Sequence, residues 1–238
     1  MITFENVTKK YQLDDQSFVT PVKDLNLKVE KGEFIVITGR SGTGKTTLLN
    51  LAAGLVRPTS GKVLVDDFDL GDMNDKQISQ MRSQRLGFVF QFPSLLPSLS
   101  VIDNVALPHT FIPRNGLMNH YERAADLLKT MGLSTKEGVY PKQLSAGEQK
   151  RAVIARSLMN HPQLILADEP TSDLDEKTEM EVMGLLRDVN QQGVTFMIVT
   201  HNLSLISYAT RAFEMQSGSL MDVTGIKDPL NGHTKVMT

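Results

Sequence analysis

The sequence predicts an α/β fold organised on a parallel core sheet, preceded by an antiparallel β region and interrupted by a mainly helical insertion. Three observations predict it. Phe34-Ile35-Val36-Ile37-Thr38 is a continuous, largely β-branched run that stops at a glycine, as expected of a strand buried on both faces. Leu164-Ile165-Leu166-Ala167-Asp168 and Thr195-Phe196-Met197-Ile198-Val199-Thr200 share that character, with a helical pattern over residues 177–191 between them. Strands alternating with helices imply a parallel sheet with right-handed crossovers. Residues 92–160 show helical spacing and no convincing strand.

Each element follows in chain order. Up to about residue 29, apolar alternations such as Ile2-Thr3-Phe4-Glu5-Asn6-Val7 and Leu25-Asn26-Leu27-Lys28-Val29 read as half-buried antiparallel strands, closed by the turn Glu30-Lys31-Gly32-Glu33. After the run at 34–38 and a glycine-rich turn, a helix is expected from near Lys45 through Leu51. Arg57-Pro58-Thr59-Ser60-Gly61 is a turn, Lys62-Val63-Leu64-Val65-Asp66 a short strand, and Leu86-Gly87-Phe88-Val89-Phe90-Gln91 a strand ending in a polar residue. Within the insertion, helical spacing recurs at Tyr121-Glu122-Arg123-Ala124-Ala125-Asp126-Leu127-Leu128 and at residues 149–159. After about Gly218 the chain turns polar, and Gly225, Pro229 and Gly232 break any pattern, so residues 221–238 read as a loose tail. The whole reads as one domain, with a catalytic core at about 1–91 and 161–220 and a helical part at about 92–160.

Composition narrows the function. With 238 residues, 40% of them hydrophobic, the chain can bury a core without staples. A formal net charge of −2, from 25 basic and 27 acidic residues, gives no global attraction to nucleic acid or anionic lipid. The absence of cysteine excludes disulfide frameworks, thiolate metal sites and cysteine nucleophiles. The N-terminus does not read as a secretory signal, and no stretch approaches the roughly 18 apolar residues of a spanning helix. A soluble, intracellular chain is expected, whose membrane spans, if its work needs any, come from another polypeptide.

Gly39-Arg40-Ser41-Gly42-Thr43-Gly44-Lys45-Thr46 fits the G-x-x-x-x-G-K-[ST] phosphate-binding loop and sits between a buried strand and a helix, where the mechanism requires it. Glycines at 39, 42 and 44 allow positive φ and close approach to anionic oxygens, so that backbone N–H groups and the helix N-terminus face the phosphates. Lys45 would set a cation between the β- and γ-phosphates, and Thr46 would offer its hydroxyl to Mg²⁺. The loop by itself implies a nucleoside triphosphatase and no more. Downstream, the strand 164–168 ends in Asp168-Glu169, at the edge where parallel sheets place their ligands. Adjacent strand residues point opposite ways, so the two acids should differ in role. Asp168 is expected to bind Mg²⁺ and Glu169 to polarise the attacking water. Alone, the pair reads equally well as an acidic turn before Pro170; the phosphate loop upstream favours the catalytic reading.

Leu144-Ser145-Ala146-Gly147-Glu148-Gln149, just before a helix, resembles the signature of the ABC (ATP-binding cassette) family, usually Leu-Ser-Gly-Gly-Gln. The order of the remaining motifs is similar to that family over almost the whole chain. The resemblance implies Tyr11 as the adenine-stacking aromatic, residues 39–47, Thr47 included, as the ATP-binding loop, and Gln91 as the Q-loop glutamine and a magnesium ligand. It further implies Asp175, in Ser172-Asp173-Leu174-Asp175, as the D-loop acid, and His201 as the switch histidine that holds the attacking water. It implies a P-loop ABC-type cassette and a head-to-tail homodimer, in which Ser145, Ala146, Gly147 and Glu148 of one subunit meet the ATP of the other. Two departures stand out: Ala146 replaces the first signature glycine, where a methyl reduces backbone freedom, and Glu148 stands where glutamine is more common.

The segment from Gln91 to Val105, with Glu169-Pro170-Thr171, looks like the bacterial lipoprotein-release and macrolide-export subfamily. That likeness implies an ATPase, using ATP and Mg²⁺, on the inner face of the cell membrane and driving a separate integral permease. The apolar run at residues 92–99 is then a candidate grip on the permease, or else a loop packed on its own domain. A soluble ABC ATPase acting on DNA or ribosomes would carry a coiled-coil insert or two fused cassettes, and neither is visible. The ATPase of a solute importer is another alternative. A binding-only sensor is disfavoured because Lys45, Glu169 and His201 are all present.

Overall fold

The buried runs of the sequence become adjacent strands of one sheet. The structure, a computed structural model, describes residues 1–14, 17–112 and 119–225. In chain order it contains β1 (Ile2–Gln12), β2 (Phe18–Val29), β3 (Phe34–Thr38), α1 (Lys45–Ala52), β4 (Ser60–Val65), β5 (Phe68–Asp69), α2 (Asp75–Arg85) and β6 (Leu86–Val89). The helical part follows with α3 (Val101–Ala106), α4 (His120–Thr130) and α5 (Ala146–Ser157). The chain then returns through β7 (Leu164–Asp168), α6 (Glu176–Gln191), β8 (Thr195–Thr200), β9 (Arg211–Gln216) and β10 (Ser219–Asp222).

Two sheets result. Strands β2-β1-β4-β5 form an antiparallel sheet, with Ile2 opposite Val29 and Phe4 opposite Leu27. Strands β10-β9-β3-β8-β7-β6 form the second, parallel throughout except for the edge pair β9–β10. Period-2 alternation divides the interior between its faces. Phe34, Val36, Ile165, Ala167, Phe196 and Ile198 point to a core shared with α3, α4, α5 and α6, where Phe34 and Phe196 stack with ring centroids 5.1 Å apart. Ile35, Ile37, Leu164, Leu166, Met197 and Val199 point to a second core shared with the antiparallel sheet and α1. Because β3, β8, β7 and β6 run the same way, the segments leaving them emerge along one edge. That edge carries the site.

Four expectations change. No element was expected at residues 75–85, yet α2 forms there. It buries only Ile78 and Met81, too little for periodicity to register, but Asn74 and Gln77 make a reciprocal cap, with N–H···O distances of 3.0 and 2.9 Å. The strand expected to reach Gln91 stops at Val89, where pairing with β7 ends. Helix α5 starts at Ala146, earlier than the periodic stretch at 149–159. The expected polar tail begins too early: Met221 and Asp222 pair with Glu214 and Phe213 in β10, while residues 226–238 lie outside the described residues. Among the described residues no helix is long and apolar enough to cross a membrane.

Candidate functional site

The loop between β3 and α1 has a shape only glycine permits at two points. A Cβ on Gly44, at φ 109°, would lie 1.8 Å from the Pro21 carbonyl oxygen, and one on Gly39 would lie 2.6 Å from that of Met215. The antiparallel sheet and β9 thus press on the loop from outside. Lys45 is buried and crosses beneath, donating to the carbonyls of Gly39 (2.7 Å) and Arg40 (3.0 Å). Thr43 Oγ1 closes the loop onto the Arg40 carbonyl at 2.9 Å.

The carboxylates arrive from β7. Asp168 accepts from Thr46 Oγ1 at 2.8 Å, which joins the phosphate loop to the acidic strand end. Burial pushes the Asp168 carboxyl up from its ordinary value, partly offset by the Thr46 hydroxyl. Glu169 leaves the strand with φ 48°, so its direction differs from that of Asp168 by a left-handed backbone step rather than by strand alternation. Both its carboxylate oxygens are held: Thr200 Oγ1 donates to Oε2 at 2.8 Å, and His201 Nδ1 lies 2.9 Å from Oε1. The Glu169 side chain is 11% exposed and that of His201 68%, so the pair spans from the protein interior to the opening.

A cleft of about 570 Å³ unites these groups. Ser41, Gly42, Gly44, Lys45, Thr46, Thr47, Gln91, Asp168, Glu169 and His201 line it, with Pro21 beside the loop. Gly39, Arg40 and Thr43 form the back of the loop rather than the wall. Tyr11 does not line the cleft; it sits half-buried in β1 opposite Val19, with the Lys9 ammonium 4.9 Å from its ring centroid.

The signature segment is built separately, as a helix start. Ser145 Oγ accepts from Glu148 N at 3.3 Å while Glu148 Oε2 accepts from Ser145 N at 2.8 Å, a reciprocal cap that leaves the Ser145 proton free to donate outward. That backbone hydrogen bond, aided by Lys136 at 3.5 Å, holds the Glu148 carboxyl below its usual range. Ala146 is the first residue of α5 and needs no glycine geometry. Gly147 does need glycine, since a Cβ there would lie 2.6 Å from Thr178 Cγ2 on α6. Asp175 caps α6, accepting from Thr178 N (3.0 Å) and Thr178 Oγ1 (2.7 Å).

Sequence reasoning missed three contributors. Thr200 looks like the last residue of a buried strand. Lys150 looks like an ordinary helix lysine, yet it is buried, and its ammonium donates to the carbonyls of Gln91 and Glu169. Glu179, one turn into α6, binds Thr171 Oγ1 at 2.9 Å and Asn202 Nδ2 at 3.0 and 2.9 Å, fastening the segments after Glu169 and His201 to the helix. No local pattern marks any of them.

A larger groove of about 770 Å³ lies elsewhere, between β6, α2 and α5, walled by Leu55, Phe88, Phe90, Leu107, Phe111 and Arg156. The run at 92–99 is split rather than uniformly exposed: Leu95 is buried, whereas Phe92 is 71% exposed and Leu96 44%. Of that run only Ser94 reaches the groove wall, held by Arg156 through its carbonyl (2.8 Å) and its hydroxyl (2.7 Å).

A family model described as ABC transporter matches residues 22–172. The lipoprotein-releasing system ATP-binding protein LolD of Buchnera aphidicola subsp. Schizaphis graminum is 38% identical over 218 residues, spanning 91% of this chain and 94% of that one. The macrolide export ATP-binding/permease protein MacB of Pectobacterium atrosepticum is 38% identical over 93% of this chain, which corresponds to 34% of that longer protein. Among solved structures, a dimeric post-hydrolysis state of the cassette MJ0796 bound to ADP and Pi superimposes with a TM-score of 0.85 at 37% identity, covering 92% of this chain and 96% of the other. MJ0796 is a protein of Methanocaldococcus jannaschii.

Proposed function

The chain belongs to the ABC transporter ATP-binding family, and from that premise we propose how its residues divide the work of ATP hydrolysis. It is an ATPase that acts as a dimer and powers a membrane transporter. The observation that carries the assignment of roles is the two-sided hold on Glu169 by Thr200 and His201, at the mouth of the cleft that the phosphate loop opens into.

The N–H groups of residues 39–47 bind the β- and γ-phosphates, and Lys45 moves its ammonium from the loop carbonyls to phosphate oxygens. Glu169 accepts a hydrogen bond from the attacking water through Oε1 and orients it toward the γ-phosphorus. Thr200 and His201 restrict that carboxylate to one rotamer, and His201, on the exposed side, shares the γ-phosphate oxygens. Asp168, Thr46 and Gln91 supply only oxygen donors to the cleft, a set that fits a hard divalent cation such as Mg²⁺. Those residues would hold Mg²⁺ beside the phosphates, where it would supply charge neutralisation of the phosphate oxygens.

Tyr11 is the stacking face for the base. Ser145 and Gly147, at the positive end of α5, reach the nucleotide of the partner subunit, and Asp175 lies at that junction. The permease is of the lipoprotein-release or macrolide-export type, with this subunit on the inner face of the cell membrane. Its docking site is the groove beside Phe90 and Arg156, whose apolar walls and cationic rim suit a short amphipathic permease segment with an acidic residue.

Glu169→Gln tests the assignment of the base. It is expected to bind ATP with native affinity, hydrolyse it about a thousandfold more slowly and accumulate as a nucleotide-loaded dimer that brings down an integral permease from detergent-solubilised membranes. Turnover at the native rate would remove Glu169 from its role.

A further inference from the structure

Lys150 lies one turn into α5, two residues past the Glu148 that closes the signature serine's cap, and is only 3% exposed. A buried ammonium is costly unless it is satisfied by acceptors or opposite charge. Here the acceptors are two main-chain carbonyls, those of Gln91, after β6, and Glu169, after β7. Burial lowers the Lys150 pKa, and the negative field of Asp173, Glu169 and Asp168 works against that loss of charge. The lysine therefore touches the backbone of two residues that both line the cleft.

The backbone at Glu169 needs such a hold. Its φ of 48° is uncommon for a residue with a Cβ and persists where neighbours over-determine it. Glu169 N donates to the Val199 carbonyl at 2.9 Å, and its carbonyl accepts from Ser172 Oγ at 3.1 Å and from Lys150 Nζ at 3.4 Å. Of these, Lys150 alone comes from the helical part of the molecule. Two turns further along α5, Arg156 holds Ser94 on the groove wall.

We propose that Lys150 is a positioning residue for hydrolysis: its ammonium ties the segment after β6 to the peptide of Glu169 and so sets where the water-orienting carboxylate stands. This rests on the reading of Glu169 as the group that orients water. It assigns Lys150 no contact with ATP. Loss of the tether should lower kcat and leave nucleotide affinity alone, because the phosphate loop is untouched.

The experiment measures steady-state ATP hydrolysis and, separately, binding of a fluorescent ATP analogue without magnesium, for the full chain and for Lys150→Met, Lys150→Gln and Glu169→Gln. Methionine keeps the length and apolar stem but cannot donate. Its kcat is expected to fall between about tenfold and a hundredfold, the range for a small misplacement of a catalytic group, with analogue affinity within about twofold of native. Glutamine, which keeps one N–H pair on a shorter stem, should recover part of the rate. If Lys150→Met does not fold, Lys150→Gln carries the same split between kcat and binding. Native kcat in the folded lysine variants, beside an inactive Glu169→Gln, would overturn the proposal and spare the reading of Glu169. Equal losses of kcat and binding would also overturn it, by showing a merely structural lysine. An active Glu169→Gln would remove the premise itself.

Discussion

The phosphate loop and the hold on Glu169 face each other across one cleft, but they are assembled in opposite ways. The loop is a contiguous stretch whose glycines, lysine and threonine are neighbours in sequence. The hold on Glu169 draws on β7, β8 and α5, with His201 32 positions away in sequence and Lys150 19 positions away. A local device has its chemistry written into spacing. A device spread over several elements exists only once the sheet has brought them to a common edge.

The sharpest way to break this contrast is at Gly44. A Cβ 1.8 Å from the Pro21 oxygen cannot be absorbed without moving backbone, so Gly44→Ala should weaken ATP binding by at least about a hundredfold, or roughly 3 kcal/mol. At Gly42, which lines the cleft but where no protein atom lies within 4 Å of a Cβ, the alanine variant should cost the nucleotide-free protein only the left-handed backbone penalty of about 1–2 kcal/mol. Equal losses of stability at both positions, in thermal melts without nucleotide, would mean that contact with the antiparallel sheet does not shape the loop.

The second contributor to the hold should behave differently. Thr200→Val preserves shape but removes the donor to Glu169 Oε2 and the acceptor for Asn202 N at 3.0 Å. Its expected signature is a loss of about tenfold in kcat with ATP affinity nearly native, the pattern of a group that acts after binding. Weaker ATP binding at native kcat would place Thr200 with the loop instead.

The smallest effect belongs to Glu148. Glutamine can make the same reciprocal cap, so hydrolysis by Glu148→Gln should stay within about twofold of native. Stability should show the difference as a function of pH. The folded state holds the Glu148 carboxyl below its ordinary value, so its contribution is complete above that ordinary value and is lost as pH falls through the lowered, folded one. The native protein should therefore melt slightly above Glu148→Gln near neutral pH and no higher than it at acid pH. A difference in Tm that persists into acid would assign the effect to something other than the charge.

The fold was legible where burial is extreme or chemistry demands glycine. Strands β3, β7 and β8 are apolar on both faces, and α6 is amphipathic, so their patterns survive without tertiary context. Helix α2 was not legible, because a helix lying on the surface with two buried residues has almost no periodic signal. Strands β9 and β10 were missed because their pairing partners are distant or arise only after the turn at Ser217 and Gly218. The signature departures became intelligible only in three dimensions: Ala146 begins a helix, Glu148 completes a cap, and Gly147 alone is packed against another element.

By itself, then, the sequence determined a parallel α/β core, a glycine-rich loop between β3 and α1, an acidic strand end and the family they compose, because each is a local pattern of burial, backbone freedom or charge. The tertiary structure decided which backbone holds Glu169, where Lys150 places its charge, and that an apolar groove forms beside Phe90 and Arg156. Those outcomes depend on parallel strands emerging at one edge and on a helix crossing beneath them. Such proximity between residues distant in the chain comes from packing, which leaves no spacing in the sequence to read.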